Sequence, residues 1–171
     1  MDRTEWLNKL EALHFRIREG EQVAPDEVTW YRSARSSLLA AAVEVQARTV
    51  GSARKPRHSI RVTRAVPVLL EAGSWSQQSL TSDLGTGGFA VMLEAQPPVD
   101  DWIKATLLLS GGPITVTVAV ADLRVAGGLI RVAFRFSEPP EPLRARVEDA
   151  MLDGVLEQLV FWDDVMDRLE A

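Results

Sequence analysis

"ITVTVAVADLRVAGGLIRVAFRF", residues 114–136, decides the class of fold. On both sides of "AGG" the residues alternate at a period of two and are rich in β-branched and aromatic types, so the stretch reads as two antiparallel strands joined by a glycine turn. Moving toward the N-terminus, the same period runs back to Ile60 through "IKATLLL" and "FAVMLE", with "IRVTRAVPVLL" alternating at Ile60 and Val62, then Val66, Val68 and Leu70. Turns such as "AQPPVDD" and "SGGP" separate these runs. Adding a short strand near Ser79 to Ser82 predicts about six antiparallel strands between Ile60 and Phe136. A sheet that small hides its edges best by closing into a barrel.

On either side of this block the period changes to that of a helix. Trp6, Leu10, Leu13 and Ile17 recur at 3.6-residue spacing, "EGEQVAPDE" breaks the pattern, and Pro25 with Asp26 and Glu27 starts a second helix carrying Val28, Tyr31, Leu38, Ala42 and Val45 on one face. These predict a helical hairpin over 1–50, a basic linker over 51–59, a barrel over 60–138 and a C-terminal helix over 139–171. The last, with Leu143, Val147, Met151, Val155, Leu159, Trp162, Met166 and Leu169 at steps of three or four, is longer than a small barrel covers. It either folds back on the hairpin or forms a dimer seam, for which 155–169 supplies two heptads.

The 171 residues contain no cysteine and two distant histidines, His14 and His58, which excludes thiolate chemistry and argues against a metal site. The acidic, amphipathic N-terminus and the lack of a long apolar run predict a cytoplasmic protein without membrane insertion. A net charge of −5 argues against nucleic acid, as do five tryptophans scattered as packing residues rather than as a stacking platform. No nucleophile and base can be paired, so an enzyme is the least favoured class.

One stretch departs from the acidic balance. Between Glu44 and Glu71 there is no acidic residue, while Arg48, Arg54, Lys55, Arg57, Arg61 and Arg64 fall there. Downstream, "SDLGTGG" (82–88) places Gly85, Gly87 and Gly88 directly before an apolar run. Two readings compete for these glycines: a tight turn between strands, or bare backbone that a flat anionic ligand approaches. The arginines alone read equally as solvated linker charges, and Asp83 as a turn residue bonded to its own backbone.

Taken in order, R-x-x-x-R at Arg57 and Arg61, then D-x-G-x-x-G from Asp83 to Gly88, then "GGFAV" and a closing "RVAFRF", this pattern resembles the PilZ domain family over roughly residues 54–145. The resemblance implies a noncatalytic six-stranded β-barrel that binds the second messenger cyclic di-GMP on its outer wall. It implies that Arg57 and Arg61 hold phosphate and guanine, that Asp83 reads a guanine edge, and that Gly85, Gly87 and Gly88 form the loop beneath, with Arg54, Lys55 and His58 as accessory contacts. It further implies a linker that folds over the nucleotide and moves the flanking helices, whose output is a downstream protein partner or a homodimer, in motility or surface-polysaccharide control. The family's serine is Gly85 here; loss of one hydrogen bond, roughly 0.5–1.5 kcal/mol, lowers affinity by about 2- to 13-fold. The alternative is a degenerate scaffold of the same family that acts through protein contacts and binds no nucleotide.

Overall fold

The computed structural model describes residues 1–49, 61–99, 101–157 and 167. The chain divides into two compact units, one comprising 1–60 with 155–171 and the other Arg61–Gly154.

In the first unit, α1 (Arg3–Arg18) begins with a capping box: Asp2 accepts from the Glu5 N–H at 2.8 Å, and Glu5 accepts from the Asp2 N–H at 3.2 Å. Gly20, at φ 76°, turns the chain out of this helix. A second helix, α2 (Pro25–Thr49), starts with proline where no N–H is needed. Leu10, Leu13, Tyr31, Leu38, Ala42 and Val45 are buried, as their helical spacing predicts. His14 is buried too, its Nδ1 2.8 Å from the Tyr31 hydroxyl, so it is a packed histidine with a satisfied ring. At the C-terminal end of the chain, Asp167 accepts from Arg3 at 2.8 Å.

The second unit is a closed six-stranded antiparallel β-barrel with one outer strand. Its strands are β1 (Arg61–Val62), β2 (Pro67–Ala72), β3 (Trp75–Gly85), β4 (Gly88–Leu93), β5 (Ile103–Leu109), β6 (Gly112–Ala126) and β7 (Leu129–Phe136). The ring runs β3-β2-β5-β6-β7-β4 and returns to β3. β3 makes this closure possible by its length: residues 75–80 pair with β2, and residues 81–85 pair with β4. A register shift between Thr81 and Asp83 separates the two halves, the usual device for bending a strand from one neighbour to the next.

"IRVTRAVPVLL" therefore does not form a single strand. Thr81 interrupts it: its hydroxyl donates to the Arg64 carbonyl and accepts from the Val66 N–H at 2.9 Å, taking over backbone groups that a ladder would otherwise satisfy. β1 consequently lies on the far half of β3, outside the ring, and β2 on the near half.

Inward positions fill the barrel. Phe89 stands 5.4 Å from Phe134 and 5.8 Å from Phe136 between ring centroids, and both Phe89 and Phe134 are fully buried. Each such ring is worth roughly 1.5–3 kcal/mol in transfer from water. The helix α3 (Glu141–Glu157) buries Leu143, Val147, Ala150 and Met151 at steps of three and four. From the same helix Arg146 donates to the Ser110 carbonyl at 2.9 Å and to the carbonyls of Leu109 and Gly112, satisfying the turn between β5 and β6. Near its end, Gly154 packs on Val62 and the buried Asp153 accepts from Arg64 at 3.4 Å. The helix predicted to reach Leu169 is described to Glu157, and the rest lies outside the described residues apart from Asp167.

Candidate functional site

Strand register places the motif residues on the barrel's outer wall in adjacent rows. Arg61 on β1 lies opposite Gly85 on β3, Gly85 opposite Gly88 on β4, and Gly88 opposite Arg135 on β7. The next row reads Asp83, Ala90, Ala133 and, on β6, Asp122. A third row holds Met92, Arg131 and Arg124. Gly85, Gly88, Ala90 and Ala133 thus form a block of the smallest residues, with charged side chains on its borders. Strands spaced about 4.8 Å apart make such a block comparable in width to a purine ring system.

Gly88 is fixed by sterics. Its φ is 153°, and an added Cβ would strike the Phe134 carbonyl of the neighbouring β7, a backbone atom with no freedom to move aside. Gly87 is different: it is exposed, its φ lies outside the positive region, and nothing stands within 4 Å of an added Cβ. The Gly87 carbonyl accepts from the Phe136 N–H at 3.0 Å, which ties the turn to β7. Gly85, the position of the family's serine, lies within the ladder between β1 and β4 rather than in the loop, and it is buried. Close approach of β7, which is neither of the sequence's two readings for the glycines, accounts for Gly88, and neither torsion nor crowding accounts for Gly87.

Asp83 is the electrostatic centre. One carboxylate oxygen accepts from Arg61 at 2.7 Å and the other from Arg131 at 2.7 Å, with the aspartate side chain about one-fifth exposed and the arginines about one-third. These are charge-assisted bonds of short length. The second crosses β4, which lies between the strands of its partners, at the level of Ala90 and Met92. An ionised carboxylate offers about four lone-pair positions, so two remain for other N–H donors. On β6, Asp122 pairs with Arg124 at 2.8 Å, extending the alternation of charge along the third and second rows.

Arg61, Asp83, Gly85 and Gly88 therefore meet on one face, with Gly87 in the turn beside them. Arg57, Arg54, Lys55 and His58 lie outside the described residues. Sequence reasoning missed Arg131 and Arg135. Both have the outward parity in "LIRVAFRF", but only the pairing of β4 with β7, strands far apart in sequence, brings them beside the glycines. Among the described residues no group of three or more His, Cys, Asp or Glu could hold a metal ion, and no helix is long and apolar enough to cross a membrane.

The PilZ domain family model matches residues 55–153, more than half of the chain, including the whole of the barrel and most of α3. The chain belongs to the PilZ domain family. Solved structures show the same fold at low identity. The Bacillus subtilis inhibitor of motility MotI/DgrA is similar at 13% identity with a TM-score of 0.54, over 61% of this chain and 53% of that one. Escherichia coli YcgR in complex with c-di-GMP matches at 14% identity and TM-score 0.53, over 65% of this chain and 51% of that one. The K. pneumonia MrkH–c-di-GMP complex matches at 22% and 0.51, over 61% and 54%. The PilZ chain thus matches about half the length of these proteins. No curated protein matches it.

Proposed function

We propose that this protein is a noncatalytic effector that binds cyclic di-GMP on the outer wall of its PilZ barrel. The observation that carries the reading is the register itself: Arg61, Asp83, Gly85 and Gly88, which the family motifs bring into one pattern, occupy adjoining positions around a floor of glycine and alanine. Arg61 would bind phosphate bidentately or stack on guanine, joined by Arg57 from the same motif, while Arg54, Lys55 and His58 would serve as accessory contacts. Asp83 would accept from the guanine N1–H and amino group with the lone pairs its arginines leave open. Gly87, for which no internal contact forbids a side chain, would leave backbone open to the ligand. Closure of the Arg57–Arg61 segment over the nucleotide would shift the N-terminal helices, and a protein partner or second copy would read that shift in the cytoplasm.

Calorimetric titration with cyclic di-GMP, with GTP as control, tests the reading. Saturable binding is expected, with Arg61→Ala and Asp83→Ala each losing about tenfold or more in affinity, the scale of a charge-assisted hydrogen bond. No heat and no thermal stabilisation at about 100 µM ligand, a concentration that would raise the stability of even a 10 µM binder by about 1.4 kcal/mol, would overturn it. The second reading is then a PilZ scaffold that acts through its helices alone. Gly85 in place of serine favours it, as does the internal neutralisation of Asp83.

A further inference from the structure

The motif that defines the proposed site contains nothing from β7, yet the carboxylate at its centre is held equally from β1 and from β7. We infer that Arg131 is a positioning residue for nucleotide recognition: it orients Asp83 so that the two free lone pairs of the carboxylate face a guanine edge. This inference rests on the proposed binding of cyclic di-GMP.

A carboxylate on a single partner swings about its terminal torsion, which is broad and roughly two-fold. Arg61 alone would leave Asp83 that freedom, because it binds one oxygen only. Arg131 takes the other oxygen at the same 2.7 Å from the opposite side, across β4, and the two bonds together fix the plane of the group. The crossing depends on Ala90. A long side chain at that outward position of β4 would stand between Asp83 and β7; alanine, fully buried there, leaves the path clear. Guanine presents two parallel N–H donors, N1–H and the exocyclic amine, and only a carboxylate of fixed plane accepts both well. Hypoxanthine keeps N1–H and lacks the amine, so an oriented Asp83 separates the two bases, and a mobile one separates them less.

The test compares affinity for cyclic di-GMP with affinity for its di-inosine analogue in wild type, Arg131→Ala and Arg131→Lys, each first checked for an unchanged far-ultraviolet spectrum and cooperative melting. Wild type is expected to prefer the guanine ligand by about tenfold or more. In Arg131→Ala the preference is expected to fall to within about threefold, chiefly through weaker cyclic di-GMP binding. Arg131→Lys, which keeps the charge but loses the planar fork, is expected to fall between the two. An equal loss for both ligands would make Arg131 a phosphate or stacking contact and overturn the inference. Tighter binding in Arg131→Ala would overturn it also, making the arginine a competitor that the ligand displaces. If wild type binds neither ligand, the cyclic di-GMP reading fails, and Arg131's role in it falls with it; a wild type that binds with no base preference removes the positioning role alone.

Discussion

The dipeptide Gly-Gly occurs at three hairpins of the barrel, at residues 87–88, 111–112 and 127–128, and the first and last of these pairs obey different physics. Gly127 and Gly128 sit at φ 57° and 84°, between the paired ends Ala126 and Leu129, with nothing within 4 Å of an added Cβ at either. Their requirement is torsional: a two-residue hairpin turn with both central residues at positive φ suits the twist of the strands it joins. Gly88 answers instead to a third strand, whose Phe134 carbonyl occupies the place of its Cβ. Gly87 answers to neither. Identical letters thus mark a turn in one hairpin and, in the other, a contact between strands beside the candidate site.

Substitutions separate these causes. Gly88→Ala is expected to cost most, about 3–5 kcal/mol, because a clash with backbone adds to the strain of an alanine at φ 153°. That is a large part of the stability of a typical domain, and the midpoint of urea unfolding reads it. A Gly88→Ala protein as stable as wild type would show that β4 and β7 separate easily and that the Phe134 carbonyl does not fix the residue at 88. Gly128→Ala is expected to cost about 1–2 kcal/mol by the same measurement, the penalty of a left-handed conformation without a clash. At 127, with φ 57°, Gly127→Asn should cost less than Gly127→Ala because asparagine enters that conformation more readily, whereas at 88 asparagine should recover none of the alanine loss. The smallest effect on stability is expected at Gly87: Gly87→Ala should leave the midpoint unchanged or raise stability by about 0.4–1 kcal/mol, since its φ is open to alanine and the space is free. The same variant should bind cyclic di-GMP several-fold more weakly, which would assign the bare backbone at 87 to the ligand. Unchanged affinity would remove Gly87 from the site.

Alternation and turn composition made the barrel legible because most of its strands bury one face, and the helical period made the flanking helices legible for the same reason. Two features escaped. "WSQQSLTSDLG" carries polar residues on both parities, so only its end near Ser79–Ser82 reads as a strand; as β3 it pairs with three neighbours and needs little apolar side chain to be held. The interruption after Val62 depends on the Thr81 hydroxyl, a contact no local pattern announces. At the candidate site, Arg61, Asp83 and the glycines are recognisable because they lie in short motifs. Arg131 is not, because its position beside Asp83 depends on closure of the sheet, and spacing along the chain carries no trace of which strands meet when a barrel closes.

The contact of Val62 with Gly154, and of Arg64 with Asp153 across 89 positions of sequence, brings the first strand and the last turns of the barrel unit together. A unit whose two ends are adjacent opens only a narrow gap in any chain that holds it. It can be set between other segments, or reopened at an exposed turn such as Gly127–Gly128, without a long connection to span its width. The same pair of contacts that joins the two ends of the barrel unit therefore also makes it portable.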